Sequence, residues 1–300
     1  HPGDYSLKGA FGWVLYAQAK RLVDAARDPH AAGGGADPKL RLILREDARL
    51  GLQRPDLLFS MLLVQLLNCP TPASFLPGLM AWAGLGCFRP EDLCAQEPLI
   101  EKAARVTGKV ALELEESGLK EHAILLLDKA LSEGEIQKPE WLHYRKALLL
   151  GRLGRYKEAQ ELIFPFARGK RGDFWAWQAL AELEEPTDPK LALTLYAKAV
   201  TVSREPEFAL KLFEEFSQMA SRQGEIGLAK WAADHAVSVR RENSWRIPQS
   251  LKDLLSADWY SSGEDLENPQ GMLERLAAGA DSLLYSDCPR REATYLGNFA

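Results

Sequence analysis

FWAWQALAELEEPTDPKLALTLYAKAV, residues 174–200, decides the fold. Its apolar side chains return every three or four residues on both sides of a rigid turn, Glu185-Pro186-Thr187-Asp188-Pro189. That pattern reads as two amphipathic helices joined by a short connection. Ala192 stands early in the second helix and Ala199 follows seven residues later. The arrangement recurs along the chain, with Ala123 before Ala130, Ala159 before Phe166 and Ala229 before Ala236. The leading alanines are 36, 33 and 37 residues apart. This is the length of one helix–turn–helix unit, so the period predicts stacked helical hairpins. Small side chains at these places let a bulky neighbour approach closely.

Four such units are expected between residues 97 and 242. The first carries Val110-Ala111 and Leu114, Gly118 at the turn, then Ala123, Leu127 and Ala130. The second has Ala147 and Leu150, the turn Gly154-Arg155-Tyr156, then Ala159; Pro165-Phe166 predicts that its second helix kinks or stops there. Trp177, Leu180 and Ala181 open the third, and Ala192, Tyr196 and Ala199 close it. The fourth has Phe213, Phe216 and Ser217, then Gly224, Ala229 and Ala236. This stretch, about half of the chain, resembles the tetratricopeptide repeat family. In that family helix A carries large residues followed by an apolar–small pair, helix B carries two small residues seven apart, and a glycine marks the turn. The resemblance implies an all-α fold, a right-handed α-solenoid whose A helices line a concave, partner-binding groove.

Outside the repeats the reading is also helical. Residues 1–96 form divergent helical hairpins expected to continue the solenoid. A helix is predicted over 5–26, and Ala31-Ala32-Gly33-Gly34-Gly35 forms a flexible loop. A second helix follows Asp37-Pro38, a third follows Pro55-Asp56, a fourth lies at about 73–83, and a short capped helix sits around Pro90. Residues 243–287 are expected to cap the last repeat, with a helix at about 249–257 and one amphipathic helix over 269–285. The tail 288–300 alternates like a strand, and since a strand cannot stand alone it predicts the first strand of a further β domain.

Composition narrows the function. At 46% hydrophobic and 26% charged, the chain has the make-up of an ordinary globular protein. A net charge of −5 excludes a uniformly basic nucleic-acid coat but leaves room for a local basic patch. Cys69, Cys87, Cys94 and Cys288 form no CxxC pair, and His1, His30, His122, His143 and His235 are scattered. Reduced thiols, a cytoplasmic setting and no metal site are therefore expected. The chain opens on His1 without a signal-peptide pattern, as a trimmed fragment would. The uncharged run 57–88 is broken by Asn68, Pro70, Pro72 and Pro77, so a buried helix pair is expected there and not a membrane span.

No catalytic signature is present: neither GxSxG, HExxH, a phosphate-binding loop nor a dinucleotide glycine pattern. No catalytic residue and no cofactor is expected, and the chain reads as a non-enzyme. Charge is more telling. Across 141–171 stand Arg145, Lys146, Arg152, Arg155, Lys157, Arg168, Lys170 and Arg171 against only Glu158 and Glu161. The next stretch, 174–188, carries Glu182, Glu184, Glu185 and Asp188 and no base. Registering the repeats on the tetratricopeptide pattern implies that Arg105, Lys109, Tyr144, Arg145, Arg152, Trp175, Gln178, Lys211, Gln218 and Arg222 line the groove. Bases interleaved with aromatics suit an acidic protein or peptide partner, the leading expectation. The groove lacks the asparagines that accompany lysines in the family's peptide-carboxylate clamp. RNA or single-stranded DNA is the alternative partner. It is supported by a weaker resemblance of the 57–88 region, Asn243-Ser244-Trp245-Arg246-Ile247-Pro248 and the tail to bacterial tetratricopeptide proteins ending in a cold-shock or S1-like OB domain.

Overall fold

A computed structural model describes residues 5–27, 36–69 and 88–286. The expected glycine loop at 31–35, the helix at 73–83, Cys87, Cys288 and the tail 288–300 lie outside them. The described residues are all-α, with no strand among them. They divide into two compact units, His1–Ala159 and Gln160–Ala300. The helix Tyr156–Gly169 crosses the division.

In the first unit, helices α1 (Tyr5–Ala26), α2 (Ala36–Leu50) and α3 (Leu57–Leu67) precede the repeats. α1 packs on both α2 and α3. Gly12 makes this possible, because a Cβ there would stand 2.3 Å from Leu58 and within contact of Leu50 and Leu52. Asp56 caps α3, accepting a hydrogen bond from the Phe59 amide at 2.7 Å. Arg54 holds that carboxylate at 2.8 Å and also pairs with the buried Asp47, whose pKa is raised by burial against the pull of Arg54. α3 then packs on the first helix of the repeat region, Leu99–Glu113. Between them the short helix Pro90–Leu93 is pinned by Asp92, which accepts from Ser60 at 2.6 Å and from the Arg89 amide at 2.9 Å.

Eight helices follow, where the alanine period predicts four pairs. Leu99–Glu113 packs on Ser117–Glu133, Phe174–Glu184 on Pro189–Val202, and Leu210–Arg222 on Ile226–Glu242, while Pro139–Arg152 and Tyr156–Gly169 succeed one another between the first and second of these pairs. Ala123, Ala130, Ala159, Ala192, Ala199, Ala229 and Ala236 are all fully buried. The glycine turns are of two kinds. Gly154 and Gly224 have φ of 76° and 84°, a left-handed conformation that favours glycine. Gly118, read from sequence as a turn residue, instead sits in the first turn of its helix. Helix Tyr156–Gly169 runs through Pro165 and does not stop there. Asp188 caps the helix after the rigid turn, accepting from the Leu191 amide at 3.0 Å.

The second unit is closed by helices Gln249–Leu255, Asp258–Ser262, Pro269–Leu276 and Ala280–Leu283. The single helix expected over 269–285 is broken at Gly279, whose φ of 92° reverses the chain. The first, second and third of these helices pack on Ile226–Glu242, and the third and fourth pack on Pro189–Val202. Polar ties fix them. The buried Glu214 accepts from Arg240 at 2.9 Å and from Ser250 at 2.8 Å. Tyr260 donates to Asp234 at 2.5 Å, and Lys198 reaches Asp281 at 2.6 Å.

Candidate functional site

On helix Leu99–Glu113 the residues Ile100, Ala103, Ala104, Thr107, Val110 and Ala111 are buried, which turns Arg105 and Lys109 outward. Lys102 precedes them by one turn, so Lys102, Arg105 and Lys109 stand at i, i+3 and i+7 on one face. Helix Pro139–Arg152 packs on this helix and adds Arg145. The stem of Arg145 lies across Gly108, where a Cβ would stand 2.7 Å from its Cγ and 3.3 Å from its Cδ. Burial lowers the Arg145 pKa, and the neighbouring charge of Arg105 pushes the same way; Tyr144 and Glu113 oppose them. Among the described residues no carboxylate lies within ion-pair distance of Arg105, Lys109 or Arg145.

The row continues away from Arg145. Lys102 donates to the Asn68 side chain at the end of α3, and Arg27 donates to the Asn68 carbonyl at 3.1 Å. Burial lowers the Lys102 pKa, with Arg105 and Arg27 adding to the effect and Glu97 opposing it. Arg27, Lys102, Arg105 and Arg145 are therefore a chain of mutually repelling cations on the first unit.

Two further cations of the expected basic band on the first unit are held by acids. Lys146 pairs with Asp128 at 2.5 Å, and Arg155 pairs with Glu158 at 2.6 Å and Glu121 at 3.4 Å. Its hydrogen bond to Glu158 is the main reason that the Arg155 pKa rises. Arg152 is exposed in the last turn of its helix, where a cation complements the helix dipole. Tyr144 packs edge-on against Trp141, ring centres 6.2 Å apart.

The second unit holds the other sequence candidates in a different setting. Gln178 donates to Glu215 at 2.7 Å, and Lys211 pairs with the same carboxylate at 2.9 Å. Arg222 pairs with Glu185 at 2.7 Å and donates to the Gln218 carbonyl at 3.3 Å. Trp175 packs against Phe166 at 5.5 Å. Beneath them Tyr196 is buried, and its phenol pKa is raised first by burial, then by Glu215, Glu182 and Glu185. Here every cation among the candidates has an acid.

Sequence reading missed Arg27, Lys102, Gly108 and the carboxylates that neutralise Lys211 and Arg222. The repeat step itself signals several of these pairs: Gly108 and Arg145, Gln178 and Glu215, and Glu185 and Arg222 are each 37 residues apart. No group of three or more His, Cys, Asp or Glu suited to a metal ion occurs among the described residues. No helix among them is long and apolar enough to cross a membrane.

Residues 140–280 are similar to a domain of unknown function, DUF7017. That stretch, just under half of the chain, includes Arg145 and all five candidates of the second unit but not Arg105 or Lys109. No curated protein and no solved structure matches the chain.

Proposed function

We propose that the chain is a non-enzymatic interaction scaffold built on a tetratricopeptide-like, right-handed solenoid, and that it binds an acidic protein or peptide segment along Lys102, Arg105, Lys109 and Arg145. One observation carries the reading: Arg145, half-buried over Gly108, is held beside Arg105 with no carboxylate in ion-pair distance among the described residues. Gathering like charges and desolvating one of them is unfavourable by itself. A chain with more acids than bases has carboxylates to spare, and it spends them on Lys146, Arg155, Lys211 and Arg222. Leaving this row unpaired suits an anionic partner, which would regain the lost electrostatic energy on binding.

A labelled twelve-residue peptide rich in Asp and Glu tests it by fluorescence anisotropy on the full chain. Binding is expected to weaken at least tenfold in Arg105→Ala/Arg145→Ala and to change less than twofold in Lys211→Ala/Arg222→Ala. A single-stranded RNA of equal charge is the competitor. RNA binding tighter than the peptide, or peptide binding that ignores the Arg105/Arg145 change, sinks the proposal.

A further inference from the structure

The N-terminal helices of the first unit carry a second, separate feature. A groove of about 420 Å³ runs between α1 and α2, with Leu15 and Ile43 in its floor. Phe11 and Leu42 form its walls and are 46% and 53% exposed. Leu7 and Val14, at i−4 and i+3 from Phe11, extend the apolar strip along α1 and are also exposed. Isolated apolar side chains on a surface are ordinary, but a continuous strip beside an apolar groove marks an interaction site.

Its ends are charged. Gly12 lies against Leu50 and Leu52, so α1 and α2 run antiparallel, which sets Arg21 level with Lys39 at one end and Phe11 near Glu46 at the other. Glu46 is already paired with Arg49 at 2.6 Å. The rim therefore offers net positive charge, concentrated at Arg21 and Lys39. A second copy laid parallel on this face would set cation against cation, and the acid that an antiparallel copy would offer, Glu46, is already held by Arg49, which argues against self-association. From Phe11 to Leu22 the groove wall rises about 16 Å, three helical turns. That length takes three apolar side chains of a helix at i, i+4 and i+7.

We infer that the α1–α2 groove docks an amphipathic helix of a partner protein whose flanks are acidic, with the negative C-terminal end of its dipole at Arg21 and Lys39. The site is distinct from the Arg105–Arg145 row and does not depend on it.

The test uses the full chain and a labelled eighteen-residue helical peptide, with leucines at i, i+4 and i+7 and glutamates on its flanks. Controls are the same peptide with lysine flanks and a scrambled sequence. The glutamate peptide is expected to bind, at least tenfold more weakly to Leu42→Glu and at least threefold more weakly to Arg21→Glu/Lys39→Glu. Both variants change exposed side chains, and unchanged helical circular dichroism confirms their fold. Binding to Arg105→Ala/Arg145→Ala should be unaltered, which separates this site from the one proposed above. Equal binding of the lysine-flanked or scrambled peptide overturns the inference. So does binding that survives Leu42→Glu, or sedimentation showing a dimer that Leu42→Glu dissolves.

Discussion

The candidate site cations of the two units stand in opposite electrostatic settings. In the first, Arg27, Lys102, Arg105 and Arg145 crowd together, and the last two lack an acid within ion-pair distance among the described residues. In the second, Lys211, Arg222 and Arg240 each meet a carboxylate within 3 Å. Paired charges here tie helices together: Arg222 joins its helix to Glu185, the C-cap of helix Phe174–Glu184, and Arg240 joins Ile226–Glu242 to Glu214 on Leu210–Arg222. Unpaired charges contribute nothing of that kind. The difference teaches where to look for stability and where to look for recognition. Removing the acid that holds the half-buried Arg240 should destabilise the second unit, whereas removing Arg105 or Arg145 should leave the first folded and less able to bind.

The largest effect belongs to Glu214. It is buried, and Glu214→Ala would strand Arg240, whose Nε already lacks a hydrogen-bond partner, while releasing Ser250. A loss of about 3 kcal/mol in urea unfolding is expected, as for other half-removed buried pairs. A loss below about 1 kcal/mol would erase the proposed distinction between the units. Next, Arg145→Ala should cost the acidic peptide about tenfold in affinity, roughly 1.4 kcal/mol, with little change in the unfolding midpoint. If the midpoint collapses instead, Arg145 is a structural residue like Arg240.

Gly108→Ala is the finer probe. The added methyl would displace the Arg145 stem, while replacing a mid-helix glycine gains about 1 kcal/mol of helix propensity. Binding should weaken about fivefold in a protein no less stable than its parent, measured on one sample by anisotropy and thermal melting. Smaller still are two pH effects. Burial lowers the pKa of His122 in the first unit, and of His235 in the second against the pull of Glu242. The unfolded chain then takes up protons first, from about pH 6.5 downward. Stability is complete above that range and is lost as the pH falls toward the folded values. Urea midpoints at pH 7.5 and 5.5 should show the decline, and replacing either histidine by Phe should flatten it. At the alkaline end, Tyr260 is pushed up to about 12, mainly by burial and then by its bond to Asp234. Its contribution persists below pH 10 and disappears as the pH rises through about 12, so Tyr260→Phe should remove that part of the alkaline loss.

Local chemistry was readable from the chain. α1 falls on the expected residues 5–26, Asp56 and Asp188 cap the helices that follow them, and the buried alanines keep their period. These features depend on neighbours within a turn or two of helix. Gly279 was hidden because two alanines before it continue an apolar helical pattern, and only the backbone reverses. The site was legible in half. Arg105, Lys109 and Arg145 stood out as cations on expected A helices, but the same repeat register set Lys211 and Arg222 in the same class. What separates the two groups is the identity of the residue one repeat away, glycine opposite Arg145 and glutamate opposite Arg222. Arg27 was out of reach altogether, because its link to Lys102 passes through Asn68 on a third helix.

The contact of Arg145 with Gly108 also makes a statement about ancestry. A side chain lying on a bare backbone can be lost freely, but it cannot take up that seat unless the glycine is there. Among related chains, a binding row that includes arginine at position 145 should thus keep glycine at 108, while glycine at 108 should tolerate other residues at 145. That one-way dependence would mark which branches of a lineage had the cationic row and which had lost it, before any of their products were purified.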